Sequence, residues 1–409
     1  MIKGNVMVGQ SGGPTSVINS SLAGVFKTCK DGGCAHVYGM RNGIEGLIDE
    51  RYVDLSDYIK NDLDIELLKR TPSSFLGTCR YKLPSAEKSP EVYERIFSIL
   101  KKLGVEYFFY IGGNDSMDTI MQLSRFAARI GSDIRFMGVP KTIDNDLDCT
   151  DHTPGYGSAA KYIGTAMKEI IRDAKTYPND SVTIVEIMGR NAGWLAAAAS
   201  LSKAEDCQGP DLIYLPERVF DHETFVKQVE EKRRESRAVI VAVSEGVKTS
   251  DGKYVCEANK KSTVTDAFGH KLLGGTALYL SDFMTESTGL KSRGIVLSTL
   301  QRCASHLVSR RDITEAYMAG ADAAVAALDG ETGKMIVFNR ISDAPYSMVT
   351  GICDIEKIAN KEKVVPDEWI TPEGTGVTAA FDSYARPLII GELSPFMVDG
   401  MPRHLFIDK

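Results

Sequence analysis

The stretch VPKTIDNDLDCTDH, Val139 to His152, ends an apolar run with a lysine and then sets four carboxylates within eight residues: Asp144, Asp146, Asp148 and Asp151. Like charges this close repel and raise one another's pKa. Such a cluster is useful where one carboxylate must accept a proton while a nearby cation keeps it ionised. Asp144 is the candidate base for an attacking hydroxyl, and Lys141 stands just before it. Asp146 could orient the base or the substrate, and Thr142 could donate to an anionic oxygen. The plain alternative is a solvated acidic loop; the apolar run before it and the lysine at its mouth count against that.

Other short stretches suit phosphate chemistry. GQSGGPTS (Gly9–Ser16), with Gly12 and Gly13, follows an apolar run and opens a helix-like segment. Glycines let the backbone approach a ligand, and a helix N-terminus offers free N–H groups and partial positive charge. IGGNDS (Ile111–Ser116) repeats that design with Gly113, Asn114 and Asp115. Short oxygen-bearing side chains beside a phosphate seat suit Mg²⁺, whereas the plain reading is an N-cap from Asp115 or Ser116. Arg190 in EIMGRNAGW and Glu245 in VSEG stand at further strand ends, and Arg80 follows the loop FLGTCR. SRGIVLSTLQR puts Arg293 and Arg302 on either side of a strand, positions suited to a bidentate phosphate clamp. Singly, each arginine is as readily a surface ion pair. GYGSAA (Gly155–Ala160) mimics a dinucleotide fingerprint but lacks the preceding strand that such a site needs. The chain has no GxxxxGK[ST] loop, and its six histidines form no i, i+4 pair.

These residues need elements to hold them. The apolar runs at 5–9, 106–113, 133–140, 182–190 and 238–246 each end in one of these turns, and four of them lead into longer amphipathic stretches. Continuous apolar strands alternating with helices predict parallel sheets covered on both faces, with ligands at the carboxyl ends of the strands. A chain of 409 residues predicts two such α/β domains. The segment from Lys248 to His270 is polar and predicts hairpins or loops. With 55 acidic against 48 basic residues, net −7, nucleic acid is not the expected partner. Eight scattered cysteines without zinc-like spacing read as reduced thiols of a cytoplasmic protein. No signal-type h-region and no apolar run near 18 residues occurs, so neither secretion nor membrane insertion is expected.

SGGPTSVIN, FLGTCR, GGNDS, PKTIDND, MGRNAG, SEG and the R…QR strand occur in the order seen in the phosphofructokinase family, from the N-terminus to about Gly320. The resemblance implies two similar Rossmann-like domains with mainly parallel sheets and the active site in the cleft between them. It implies transfer of a phosphoryl group to the 1-hydroxyl of fructose 6-phosphate, with Mg²⁺. By position, Asp144 resembles the base, with Thr142 and Asp146 its neighbours. Met188, Gly189 and Arg190 resemble the sugar-binding segment, Glu245 the sugar-hydroxyl acceptor, and Arg293 and Arg302 the 6-phosphate clamp. Gly12, Gly13, Arg80 and Gly113 resemble donor-phosphate contacts. Asp115 and Lys141 stand where ATP-using members carry glycine, and both resemble the pyrophosphate-dependent branch. Asn114 replaces the usual Mg²⁺-binding aspartate, Ser181 an inter-subunit arginine and Thr299 a histidine of the clamp; Lys291 is a candidate to complete that clamp. The division implied is 1–141 with the donor site, 142–310 with the sugar-phosphate site, and 311–409 as C-terminal helices and an extension packing on both, in a homodimer or homotetramer. An ATP-dependent member, a kinase of another sugar phosphate such as sedoheptulose 7-phosphate, and a silent sugar-phosphate binder remain alternatives; the presence of Asp144 weighs against the last.

Overall fold

A computed structural model describes residues 4–258 and 273–407. The apolar runs become strands β1 (Asn5–Gln10), β2 (Val37–Met40), β3 (Tyr52–Asp54), β4 (Val105–Gly112) and β5 (Arg135–Pro140), then β6 (Ser181–Ile187), β7 (Leu212–Tyr214), β8 (Ala238–Ser244) and β9 (Lys291–Val296). Two further strands, β10 (Lys334–Asp343) and β11 (Tyr346–Asp354), follow late in the chain. One sheet runs β11-β10-β5-β4-β1-β2-β3 and the other β7-β8-β6-β9. The second sheet is wholly parallel. The first is parallel except where β3 and β11 pair at its two edges. β6 and β8 are buried almost from end to end, as continuous apolar runs require.

In the first sheet the strand order reverses between β1 and β4, and both glycine turns leave the carboxyl ends of these two strands. A crevice forms at such a switch point. The acidic stretch leaves the neighbouring β5 and runs into the helix Tyr156–Ala174, which carries the chain to the second sheet.

The C-terminal part holds more than the helices expected of it. The helix Arg310–Leu328 lies on the helix Ile18–Asp31, so closely that a Cβ on Gly320 would stand 2.0 Å from the Ser21 carbonyl oxygen. β10 and β11 then join the first sheet, β10 pairing with β5 at Met137 and Gly138. Their burial alternates toward the β11 edge, a pattern overlooked when only continuous apolar runs are sought. Of the segment expected to form loops, Lys248 bridges to Val219 and Tyr254, the Thr249 amide closes a turn on the Lys253 carbonyl (3.0 Å), and a 3₁₀ turn spans Val255–Ala258; residues 259–270 lie outside the described residues. Among the described residues no helix is long and apolar enough to cross a membrane.

Candidate active site

The first glycine turn and the start of the second are stitched together. The Ser11 and Ser116 hydroxyls share a hydrogen bond, and the Ser11 amide donates to the Ile111 carbonyl (3.0 Å). Gly12 has φ +75°, a left-handed conformation that favours glycine. The Thr78 hydroxyl holds the Gly12 carbonyl at 2.6 Å, which brings Arg80 to the same place. Lys141, at the end of β5, donates its Nζ to the Gly13 carbonyl at 2.7 Å. A Cβ on Gly12 would lie 3.2 Å from that Nζ, and one on Gly13 3.4 Å from Arg302 Nη1. Two cations therefore converge on the turn.

The acidic stretch divides into two halves. Asp144 and Asp146 face the cavity. Asp148 caps the Cys149 amide (2.8 Å), and Asp151 is held by His152 (2.8 Å) and Arg340 (2.9 Å). Thr142 Oγ1 accepts from the Asp144 amide (3.0 Å), which sets the bend of the loop. Asn145, fully buried at φ +57°, donates to the Tyr384 hydroxyl (2.8 Å) and accepts from the Thr153 amide (3.1 Å). Burial pushes the Asp144 carboxyl above its ordinary range, against the pull of Lys141 and Arg190. Burial and the Asp144 charge push Asp146 up to about 7. Burial pushes Lys141 down to about 8, although Asp144 and Asp146 oppose that.

The opposite wall comes from the second sheet. Gly189, at φ +133°, can point its amide at Glu245 Oε1 (3.4 Å) and its carbonyl at the Ser244 hydroxyl (2.5 Å). Burial and the nearby Asp144 push Glu245 up to about 7. Gln301 accepts from the Met188 amide (3.0 Å) and so ties this turn to the helical turn Leu300–Cys303 that carries Arg302. The Nε atoms of both Arg190 and Arg302 are buried without a partner. Buried donors are normally paired, so these two suit an incoming anion.

The walls enclose a cavity of about 720 Å³. Gly12, Gly13, Arg80, Gly113, Asn114, Asp115, Lys141, Thr142, Asp144, Asp146, Met188, Arg190, Glu245 and Arg302 line it, with Gly189 supporting from behind. Arg293 does not reach it. It sits within β9 opposite Thr183, three residues or roughly 10 Å short of the strand's end, half-exposed beside Asp173. Lys291 stands at the amino end of the same strand, opposite Ser181, and does not line the cavity of its own chain. Asn114 is also engaged differently from expectation: its Oδ1 accepts from the Asn360 amide (2.9 Å) and its Nδ2 donates to the Lys361 carbonyl. Asn360 and Glu362 line the cavity, as do Lys82 and Asn191. The first two come from a polar C-terminal stretch with no motif to mark them. GYGSAA does open a helix, but Asp312 already occupies its N-terminus, accepting from the Gly155 (2.9 Å) and Ser158 (2.8 Å) amides.

A sequence profile of the Phosphofructokinase family matches residues 5–326. A protein of Halomonas elongata named pyrophosphate–fructose 6-phosphate 1-phosphotransferase is 38% identical over 407 residues, covering 98% of this chain and 96% of that one. One of the same name from Xanthomonas campestris pv. campestris is 39% identical over 408 residues, covering 99% and 96%. The crystal structure of a pyrophosphate-dependent phosphofructokinase from Nitrosospira multiformis matches with a TM-score of 0.88 at 36% identity, over 98% of this chain and 95% of that one. Every motif that builds the cavity up to Arg302 falls inside the profile match, and the chain belongs to the phosphofructokinase family.

Proposed function

We propose that this chain transfers a phosphoryl group reversibly from pyrophosphate to the 1-hydroxyl of fructose 6-phosphate, giving fructose 1,6-bisphosphate and phosphate. The observation that carries the reading is Lys141, a buried ammonium bound to the Gly13 carbonyl between both glycine turns and Asp144. Phosphoryl transfer needs mainly positioning and charge neutralisation. Lys141, Arg80 and Arg190 neutralise the donor, and Asp144 takes the proton of the sugar hydroxyl. Glu245 and the Met188–Arg190 turn orient the sugar, and Arg302 holds its phosphate. Asp115 adds negative charge beside the donor seat; two anions at about 4 Å repel by about 4 kcal/mol at an effective dielectric near 20, which disfavours an α-phosphate there. The names of the near full-length relatives support the same donor.

Mg²⁺ fits this site. Among the described residues no group of three or more acidic, histidine or cysteine side chains could hold a metal alone. A phosphoryl-transfer site needs only one or two carboxylates beside the phosphates. Asp115, Asp144 and Asp146 line one cavity, and the raised Asp144 and Asp146 would be relieved by a divalent cation. The ion would supply charge neutralisation at the phosphates. The assembly is taken as a homodimer or homotetramer, in which the exposed Arg293 would serve a neighbouring copy, and the eight free thiols suit the cytoplasm.

The test is a coupled assay of the unmodified protein with pyrophosphate and ATP side by side, and with fructose 6-phosphate and sedoheptulose 7-phosphate as acceptors. Pyrophosphate and fructose 6-phosphate should be the best pair; efficient ATP use with pyrophosphate inert would overturn the reading. Asp144→Asn should cut kcat by about 10²–10⁴-fold, the usual contribution of a general base, with sugar-phosphate affinity kept within a few-fold.

A further inference from the structure

Residues 360–365 cross the mouth of the cavity from one α/β unit to the other. On the first unit, the Asn360 amide and the Lys361 carbonyl are both bound by the Asn114 side chain, and Asn360 Nδ2 donates to Asp118 Oδ1 (3.2 Å). On the second, Asn191 Nδ2 reaches both Glu362 carboxylate oxygens (2.9 and 3.1 Å). Trp194 Nε1 donates to the Lys363 carbonyl (2.9 Å), and the Val365 amide donates to Glu217 (3.1 Å). Between these anchorages the Lys363 amide bonds the Asp146 carbonyl (2.8 Å).

Asn114 is the first residue of the helix Asn114–Ile130, next to the turn that seats the donor. A carboxylate there could accept from the strap but not donate to it, because an ionised acid has only acceptors. The amide alone can hold one N–H and one C=O of the same strap. Gly113, Asn114, Asp115 and Asn360 line the same part of the cavity, so a donor seated on Gly113 and Asp115 that carried a third phosphate would extend over the first turn of this helix. Asn360 and Lys361 already lie in hydrogen-bonding contact there, and Glu362 adds a carboxylate near Asp146.

We infer that the 360–363 strap is a donor-length gate, with Asn114, Asn360 and Glu362 as specificity-determining residues that admit a two-phosphate chain and bar a third phosphate or a nucleotide. The inference rests on the pyrophosphate reading above. Its test is calorimetric binding of magnesium pyrophosphate and magnesium tripolyphosphate to the whole protein, unmodified and as Asn114→Asp and Glu362→Ala. The unmodified protein should prefer pyrophosphate at least tenfold, and each variant should narrow that preference at least fivefold. Glu362 is exposed at the rim, so Glu362→Ala remains informative if Asn114→Asp fails to fold. Equal affinities in the unmodified protein, or a preference unchanged within twofold in the folded variants, would overturn the gate. Loss of the underlying reading shows elsewhere, as no turnover of fructose 6-phosphate with pyrophosphate by the unmodified protein.

Discussion

Lys141 and Asp144 set each other's charge. Burial drives the ammonium down to about 8, burial and the charge of Asp144 drive Asp146 and Glu245 up to about 7, and burial raises Asp144 against the pull of Lys141 and Arg190. Asp146 and Glu245 therefore ionise just below the pH at which Lys141 loses its proton. The profile of kcat/KM reports groups of the free enzyme, so it should form a narrow bell with an acid limb near 7 and an alkaline limb near 8. Lys141→Arg keeps a cation whose pKa lies above about 12. That variant should lose the alkaline limb while running more slowly, because a planar guanidinium does not reproduce the point contact to the Gly13 carbonyl. An alkaline limb still near 8 would show that another group is responsible, Lys363 being the next candidate, since burial pushes it too down to about 8.

The 141–155 loop behaves as an element although it is neither helix nor strand. Its shape depends on Asn145, whose left-handed backbone is kept by bonds to Tyr384 and Thr153. The Tyr384 hydroxyl also donates to the Asp151 carbonyl (2.8 Å), so one oxygen closes both halves of the loop. Tyr384→Phe would leave a buried amide donor unpaired, at a cost of about 1–3 kcal/mol. Urea unfolding should register that loss. Because the same loop aims Asp144, kcat should fall with it, whereas KM for the sugar phosphate should move little. Reduced stability with an unchanged kcat would mean that Thr153 and Lys363 hold Asp144 without help from Tyr384.

At the scale of the molecule, a buried polar cluster joins the loop to the late C-terminal elements. His152 bonds Asp151 (2.8 Å) through Nδ1 and Glu315 (2.9 Å) through Nε2. Arg340 on β10 holds Asp151, and Tyr346 on β11 donates to Glu315 (2.9 Å). Burial disfavours the imidazolium, but the two acceptors outweigh it and the net shift is upward. A histidine whose folded pKa exceeds its unfolded value of about 6.5 contributes stability in full below about 6.5, and loses it as pH rises through the folded value. The stability difference between the unmodified protein and His152→Gln should thus be largest in mild acid and shrink toward alkaline pH. The residual, pH-independent part reflects lost packing on Phe338, whose ring centroid lies 4.9 Å away. A difference flat across pH would mean that His152 is neutral in the fold.

The cavity was legible from sequence wherever chemistry and position coincide in a short stretch. Asp144 beside Lys141, Gly12–Gly13 after β1, Gly113–Asp115 after β4 and Arg190 after β6 all sit at carboxyl ends of apolar strands, and parallel sheets gather such ends on one side. Arg293 shows where that reasoning breaks. A residue type says that a phosphate contact is possible, but register decides which end of a strand it occupies, and pairing opposite Thr183 leaves it short of the cleft of its own chain. Asn114 stands in the sequence where a metal-binding aspartate is expected, whereas the partners it has in the fold, Asn360 and Lys361, lie far along the chain in a stretch with no pattern of its own. Asn145, Tyr384, Glu362 and the His152 cluster were invisible for the same reason. Local sequence can specify a turn, a strand end and the groups placed on them, whereas hydrogen bonds between segments hundreds of residues apart exist only once both sheets and the returning C-terminal strands have packed.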